Sequence, residues 1–233
     1  MADAQALVLV PGLLCTADLY AAQIAGLGGK AAITVADHTR HDSMAGIARA
    51  ILAAAPERFA LAGLSMGGYI AFEIMRQAPE RVRKLALLDT MQTADTADRS
   101  ENRRRQVALA REKGIQAVMD SLVPLFLHPE HAKDAALVAR VRKMADDTGV
   151  DAFARQQEAI IGRADSAPTL AAVACPTLVI VGAQDELTPV ARSREMAAGI
   201  AGARLEIIPY CGHLSTLEKP ETVTRLLAGW LAG

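Results

Sequence analysis

Gly63-Leu64-Ser65-Met66-Gly67-Gly68 places a serine between glycines two positions before and two positions after it. An apolar run precedes the segment and a helical pattern follows it. In a tight strand-to-helix turn the hydroxyl would stand exposed at the tip of a sheet, and the glycines would remove side chains that otherwise clash. The following helix N-terminus favours negative charge beside it. With 17 Gly and 7 Ser in 233 residues, chance supplies about 0.04 such patterns, so the segment is read as a nucleophile site rather than a glycine-rich turn.

A serine hydroxyl attacks well only when a base takes its proton and a carboxylate orients that base. Among five histidines, His213 lies in Tyr210-Cys211-Gly212-His213, between the final strand run and the final helix. A loop there returns to the edge of the sheet that holds Ser65. His38 and His41 follow the second strand run, and His128 and His131 sit in a helical region. The carboxylate is expected after the strand between serine and histidine, where Val179–Gly182 leads to Asp185. Glu186 is adjacent with a longer side chain, and Asp89 ends the preceding strand; both are rivals.

The elements that must hold these residues are visible as short apolar runs: Leu7–Val10, Ile33–Ala36, Phe59–Ala62, Lys84–Leu88, Thr177–Val181 and Leu205–Pro209. Their hydrophobicity is continuous, as in strands covered on both faces. Helical patterns alternate with them at Met44–Ala55, Gly68–Gln77, Val190–Ala198 and Glu221–Leu231. That alternation predicts an α/β fold with a mostly parallel sheet of about six strands.

One interval breaks the rhythm. Between Asp89 and Thr177 only helical signals occur. Ser100 is expected to cap a helix ending at Gly114, and Ile115, Val118, Met119, Leu122, Leu125 and Phe126 make a stripe at helical spacing, with Pro124 near its end. Further helices are expected over Glu130–Asp146 and Asp151–Ile161. Residues 92–167 therefore read as a helical lid inserted into a core formed by 1–91 and 168–233.

Composition narrows the partners. The 25 Lys and Arg against 26 Asp and Glu give a net charge of −1, and 52% of residues are hydrophobic. That balance argues against nucleic acid or an anionic membrane as partner. The apolar runs are too short to span a bilayer, and Asp3 stands where a signal peptide would carry a basic residue. Three widely spaced cysteines, Cys15, Cys175 and Cys211, without a C-x-x-C pair, suggest reduced thiols in a cytoplasm and no zinc site.

The chain resembles the α/β-hydrolase superfamily, in its branch of small lidded esterases, lactonases and pimeloyl-ester hydrolases. The resemblance rests on the Pro11-Gly12-Leu13 loop, the Gly63–Gly68 elbow, the helical lid, the Gly182-x-x-Asp185 turn, the Gly212-His213 loop and the order Ser65, Asp185, His213. It implies a two-step acyl transfer on a small-molecule ester, lactone or thioester, with no metal or organic cofactor, by a monomer or homodimer. It also implies an oxyanion hole from the backbone N–H groups of Leu13 and Met66, each worth about 3 kcal/mol in the transition state. Leu14, Met91, Leu122, Phe126 and Leu187 are expected at the pocket, favouring an uncharged substrate, while Arg103-Arg104-Arg105 could steer a carboxylate.

Three departures stand out. The first strand run begins at Leu7, so the family's N-terminal hairpin is expected to be missing; Pro11 stands where the resemblance implies a histidine before the glycine, and Asp37–Ser43 lacks both glycines of the D-x-R-G-x-G-x-S segment. Relatives with the same triad also include carbon–carbon bond hydrolases of ring-fission diketones, and the fold can serve as a slow ligand-binding receptor. These stand as alternatives.

Overall fold

The apolar runs do form strands, and the glycine, proline and capping residues between them set where each helix begins. The computed structural model describes residues 5–233. In chain order it contains β1 (Gln5–Val10), α1 (Ala21–Leu27), β2 (Ala31–Val35), α2 (Met44–Ala54), β3 (Phe59–Leu64), α3 (Met66–Gln77) and β4 (Val82–Leu88). Three helices follow without an intervening strand: α4 (Ala97–Lys113), α5 (Ile115–Phe126) and α6 (Ala135–Ile161). The chain then returns to β5 (Thr177–Gly182), α7 (Val190–Gly199), β6 (Arg204–Ile208), α8 (Ser215–Glu218) and α9 (Pro220–Ala232).

The six strands are all parallel, in the order β2-β1-β3-β4-β5-β6. Side chains alternate faces along each strand. Leu7 and Leu9 of β1 therefore join one apolar core with α1, α5 and α9, while Val8 and Val10 join a second with α2, α3 and α7. The order reverses between β1 and β3. At such a switch point the loops leaving the two strands diverge and open a crevice at their C-terminal ends, where sheets of this kind bind ligands. Those two loops are Pro11–Leu14 and the turn at Ser65.

The insertion differs in detail from the pattern reading. α4 is capped by Thr96, whose hydroxyl accepts the Arg99 N–H at 3.3 Å, not by Ser100. Nothing in Ala97-Asp98-Arg99 opposes a helix, so it starts a turn earlier. The expected helix from Glu130 begins instead at Ala135, where Asp134 accepts the N–H groups of Ala136 and Leu137. Its two predicted halves are joined at Gly149, which breaks the helical path with φ 75° and ψ 166°, a conformation that only glycine tolerates without strain. α1 and α8 span seven and four residues, too few to display a helical period. Among the described residues, no helix is long and apolar enough to cross a membrane.

Candidate active site

Ser65 sits in the turn between β3 and α3 with φ 56° and ψ −115°. This strained backbone is fixed on both sides: the Ser65 N–H donates to Leu88 O at 2.9 Å, and Ser65 O accepts the Thr90 hydroxyl at 2.8 Å. Gly67 is required because a Cβ there would overlap the carbonyl of Val10 on β1. Among the described residues, four other than glycine have positive φ: Leu14, Ser65, Asp89 and Tyr210. They follow β1, β3, β4 and β6, so strain of order 1–3 kcal/mol each gathers along one edge of the sheet.

His213 reaches this edge on the loop after β6. Gly182 permits the approach, since a Cβ on it would overlap the backbone of Cys211 and Gly212. The imidazole lies between two partners: Nε2 is 2.8 Å from Ser65 Oγ, and Nδ1 is 2.8 Å from Asp185 Oδ2. A proton on Nδ1 donates to the carboxylate and leaves Nε2 as acceptor for the serine hydroxyl. Asp185 is held in turn by the N–H groups of Leu187 and Thr188, both at 2.9 Å, and by the Thr188 hydroxyl at 2.5 Å. His213 and Asp185 are 2% and 4% exposed, so water cannot compete for these bonds.

Burial opposes charge on His213, yet the surrounding carboxyl groups, Asp185 foremost, together outweigh it and the imidazole pKa is raised above its ordinary value. Burial likewise opposes charge on Asp185, and the imidazole and Thr188 reverse the balance, so its pKa is lowered. Asp89, the rival carboxylate, bonds elsewhere. Its Oδ1 accepts Gly182 N–H at 2.9 Å and its Oδ2 accepts the Ser215 hydroxyl at 2.5 Å. Complete burial, reinforced by the nearby Asp185, pushes its pKa up to about 8. Glu186 stands at the pocket wall and does not touch the imidazole.

The insertion grips the same loop. Phe126 O, at the end of α5, accepts both His213 N–H (3.0 Å) and Leu214 N–H (3.1 Å). The Phe126 ring stacks on the imidazole with centroids 5.9 Å apart. Glu218 of α8, its side chain fully buried, adds a second clasp. It accepts Gly212 N–H at 2.9 Å from the histidine loop and His128 N–H at 2.7 Å from the insertion, and it meets His131 Nδ1 at 2.7 Å.

A cavity of about 330 Å³ opens onto Ser65 and His213, at the small end of the range for small-molecule sites. Leu13, Met91, Leu122, Phe126 and Leu187 line it together with the polar Asn102, Arg103 and Gln106. Of the residues expected there, Leu14 lies outside. Its φ of 59° turns the side chain into the core, where it is 1% exposed, and Leu13 lines the cavity instead. Arg103 pairs with Asp95 at 2.5 Å, a carboxylate it shares with Arg163 at 2.8 Å, and also donates to Gln157 at 2.8 Å, whereas Arg104 and Arg105 face solvent beside Glu101.

The backbone at Gly12 passes so near the elbow that a methyl group on it would lie 3.4 Å from Ser65 Cβ. Among the described residues, the N–H groups of Leu13 and Met66 donate to no protein acceptor. No group of three or more His, Cys, Asp or Glu among them is arranged to hold a metal ion. Sequence reasoning missed Thr188 and Glu218. Only Thr188 carries a local signal, three residues after the aspartate whose turn it closes.

This geometry accompanies clear matches to known proteins. The model of a family described as the alpha/beta hydrolase family matches residues 7–226. RutD of Klebsiella pneumoniae strain 342, named as a candidate carbamate hydrolase, is 30% identical over 218 residues, covering 89% of this chain and 78% of its own. A thermophilic esterase from Thermogutta terrifontis, solved with malate bound, superimposes with a TM-score of 0.91 at 27% identity, covering 99% of this chain and 90% of its own. The enol-lactonase of Burkholderia xenovorans LB400 gives 0.90 at 23% identity, covering 100% and 92%; at that identity the likeness speaks for fold alone.

Proposed function

Because this chain belongs to the alpha/beta hydrolase family, we propose that it is a serine hydrolase cleaving small carboxylic esters, lactones or thioesters through an acyl-enzyme. The observation that carries this reading is the unbroken run Ser65 Oγ, His213, Asp185, with both links at 2.8 Å. As Ser65 Oγ bonds to the substrate carbonyl carbon, its proton passes to His213 Nε2. Asp185 holds the imidazole in the right tautomer and stabilises the imidazolium. The carbonyl oxygen becomes an oxyanion, received by the N–H groups of Leu13 and Met66 at the N-terminus of α3. Collapse expels the alcohol or thiol, which takes the proton from His213. Water then attacks the acyl carbon by the same route, releasing the carboxylic acid and restoring Ser65.

The small cavity, with Leu13, Met91, Leu122, Phe126 and Leu187 in its lining, favours short, largely uncharged acyl groups, with helices α4–α6 as the lid that shapes it. Carbamates form a second reading, supported by the likeness to RutD, because the same attack serves a carbamoyl carbon. The test is hydrolysis of 4-nitrophenyl esters from acetate to decanoate and of a 4-nitrophenyl carbamate, beside Ser65→Ala. Turnover strongest on short chains and lost at least about a thousandfold in the variant is expected. A folded protein inert on every substrate would overturn the reading.

A further inference from the structure

Pro11, before the glycine of the first loop, has neither a backbone N–H nor a polar side chain with which to anchor it. Two buried polar residues from distant elements take up the loop instead. His38, from the loop after β2, brings Nε2 to 2.9 Å from Gly12 O. Gln156, from the second half of α6, accepts the Leu14 N–H on its Oε1 at 3.2 Å. The two side chains meet, with Gln156 Nε2 3.0 Å from His38 Nε2. Gln156 is 0% and His38 2% exposed, so no solvent can substitute for either. Arg155, beside Gln156, donates to Thr39 O at 2.8 Å and holds the loop that carries His38 against the same helix.

Peptide planarity converts these contacts into an orientation. Gly12 C=O and Leu13 N–H belong to one planar trans unit and point in opposite directions. Fixing the carbonyl, which also accepts Cys15 N–H at 3.1 Å, fixes the direction of the Leu13 N–H. The next peptide is fixed through its Leu14 N–H. Both planes flanking the Leu13 Cα are thus set by groups outside the loop, one of them on the helical insertion.

We infer that His38 and Gln156 are positioning residues that aim the Leu13 N–H at the developing oxyanion, so that the seating of α6 against the core controls the chemical step. The inference rests on the proposed serine-hydrolase reading. Neither residue touches the reacting atoms; each acts through the peptide that does. The shared His38 nitrogen serves one partner at a time: with its proton it donates to Gly12 O, and without it it accepts from Gln156.

The test compares wild type with Gln156→Met, of similar length without polar atoms, Gln156→Glu, whose carboxyl can again accept from Leu14, and His38→Ala. Active-site titration with a fluorophosphonate counts competent Ser65, so kcat is read per folded site. For Gln156→Met and His38→Ala, kcat is expected to fall roughly tenfold to a hundredfold, with KM held within about threefold. Binding of a boronic acid, whose adduct places an oxygen where the oxyanion forms, should weaken in parallel, and Gln156→Glu should recover most of both. Unchanged kcat per site, or a loss confined to KM, overturns the inference. Ser65→Ala separates the two levels: if it keeps turnover, the hydrolase reading falls and this one with it; if it loses turnover while Gln156→Met keeps wild-type kcat, only this inference falls.

Discussion

Asp89 and Asp185 follow adjacent strands of one sheet, β4 and β5, yet the fold drives their acidities apart. Asp185 meets the imidazole of His213 and is lowered, while Asp89, completely buried beside Ser215, is pushed up to about 8. Two carboxyl groups so close cannot both ionise cheaply, and the one with a cationic partner keeps the charge. Of the two carboxyl groups, Asp185, beside His213, is the one that holds its charge more readily.

The sign of the His213 shift sets the acid limb of activity. Its pKa is raised, burial being outweighed by the surrounding carboxyl groups with Asp185 foremost, and only the neutral imidazole can take the serine proton. The kcat/KM profile should rise with pH through a midpoint above the ordinary histidine value of about 6.5. A midpoint below that value would contradict the arrangement.

Asp185→Asn should leave Ser65, the cavity and the fold in place and remove the charge that holds the imidazole tautomer. A fall in kcat on the order of 10⁴ is expected, with KM little changed. Steady-state kinetics on the best ester measure it, and a loss of less than tenfold would return Asp89 or Glu186 to consideration.

Asp89 makes a prediction about stability rather than rate. Its folded pKa lies above its unfolded one, so its contribution is fully present below the unfolded value and is lost as pH rises through about 8. Thermal melts should show Asp89 weakening the wild type as pH rises from about 4 to about 8, levelling off above, and Asp89→Asn losing less over that interval. Parallel melting curves for the two proteins would rule the effect out.

Glu218→Gln would swap a charged double acceptor for an amide that must turn an N–H₂ toward one of the backbone donors at Gly212 or His128. Leaving a buried donor unpaired is expected to cost about 2–4 kcal/mol, read from urea unfolding. An unchanged midpoint would mean the clasp between insertion and histidine loop carries no net stability.

What the sequence discloses about this protein follows the range of the interactions concerned. Ser65, Gly67 and the flanking β3 and α3 are encoded within a dozen residues, because strand, turn and helix each impose a local pattern. The strands are legible for the same reason: burial on both faces demands continuous apolar runs, and Leu85–Leu88 or Val179–Val181 could be little else. Thr96 and Ser100 are equally good caps, and only the packed helix chooses between them. Gln156 and Glu218 look like ordinary polar helix residues, since their partners lie 142 and 90 positions away at Leu14 and His128. Leu14 misled because its neighbour Leu13 is chemically identical, and a positive φ decides which of the two faces the cavity.

The carbonyl of Phe126, which accepts the amides of both His213 and Leu214, bears on how this architecture could be recombined. A chimaera that replaces the insertion with one from a relative must keep the backbone path at this position, because a carbonyl displaced from it leaves two amides unpaired beside His213. Any side chain can stand on that carbonyl, so grafts that preserve its path and the Glu218 contacts at His128 and His131 can alter which molecules enter while leaving the surroundings of His213 as they are.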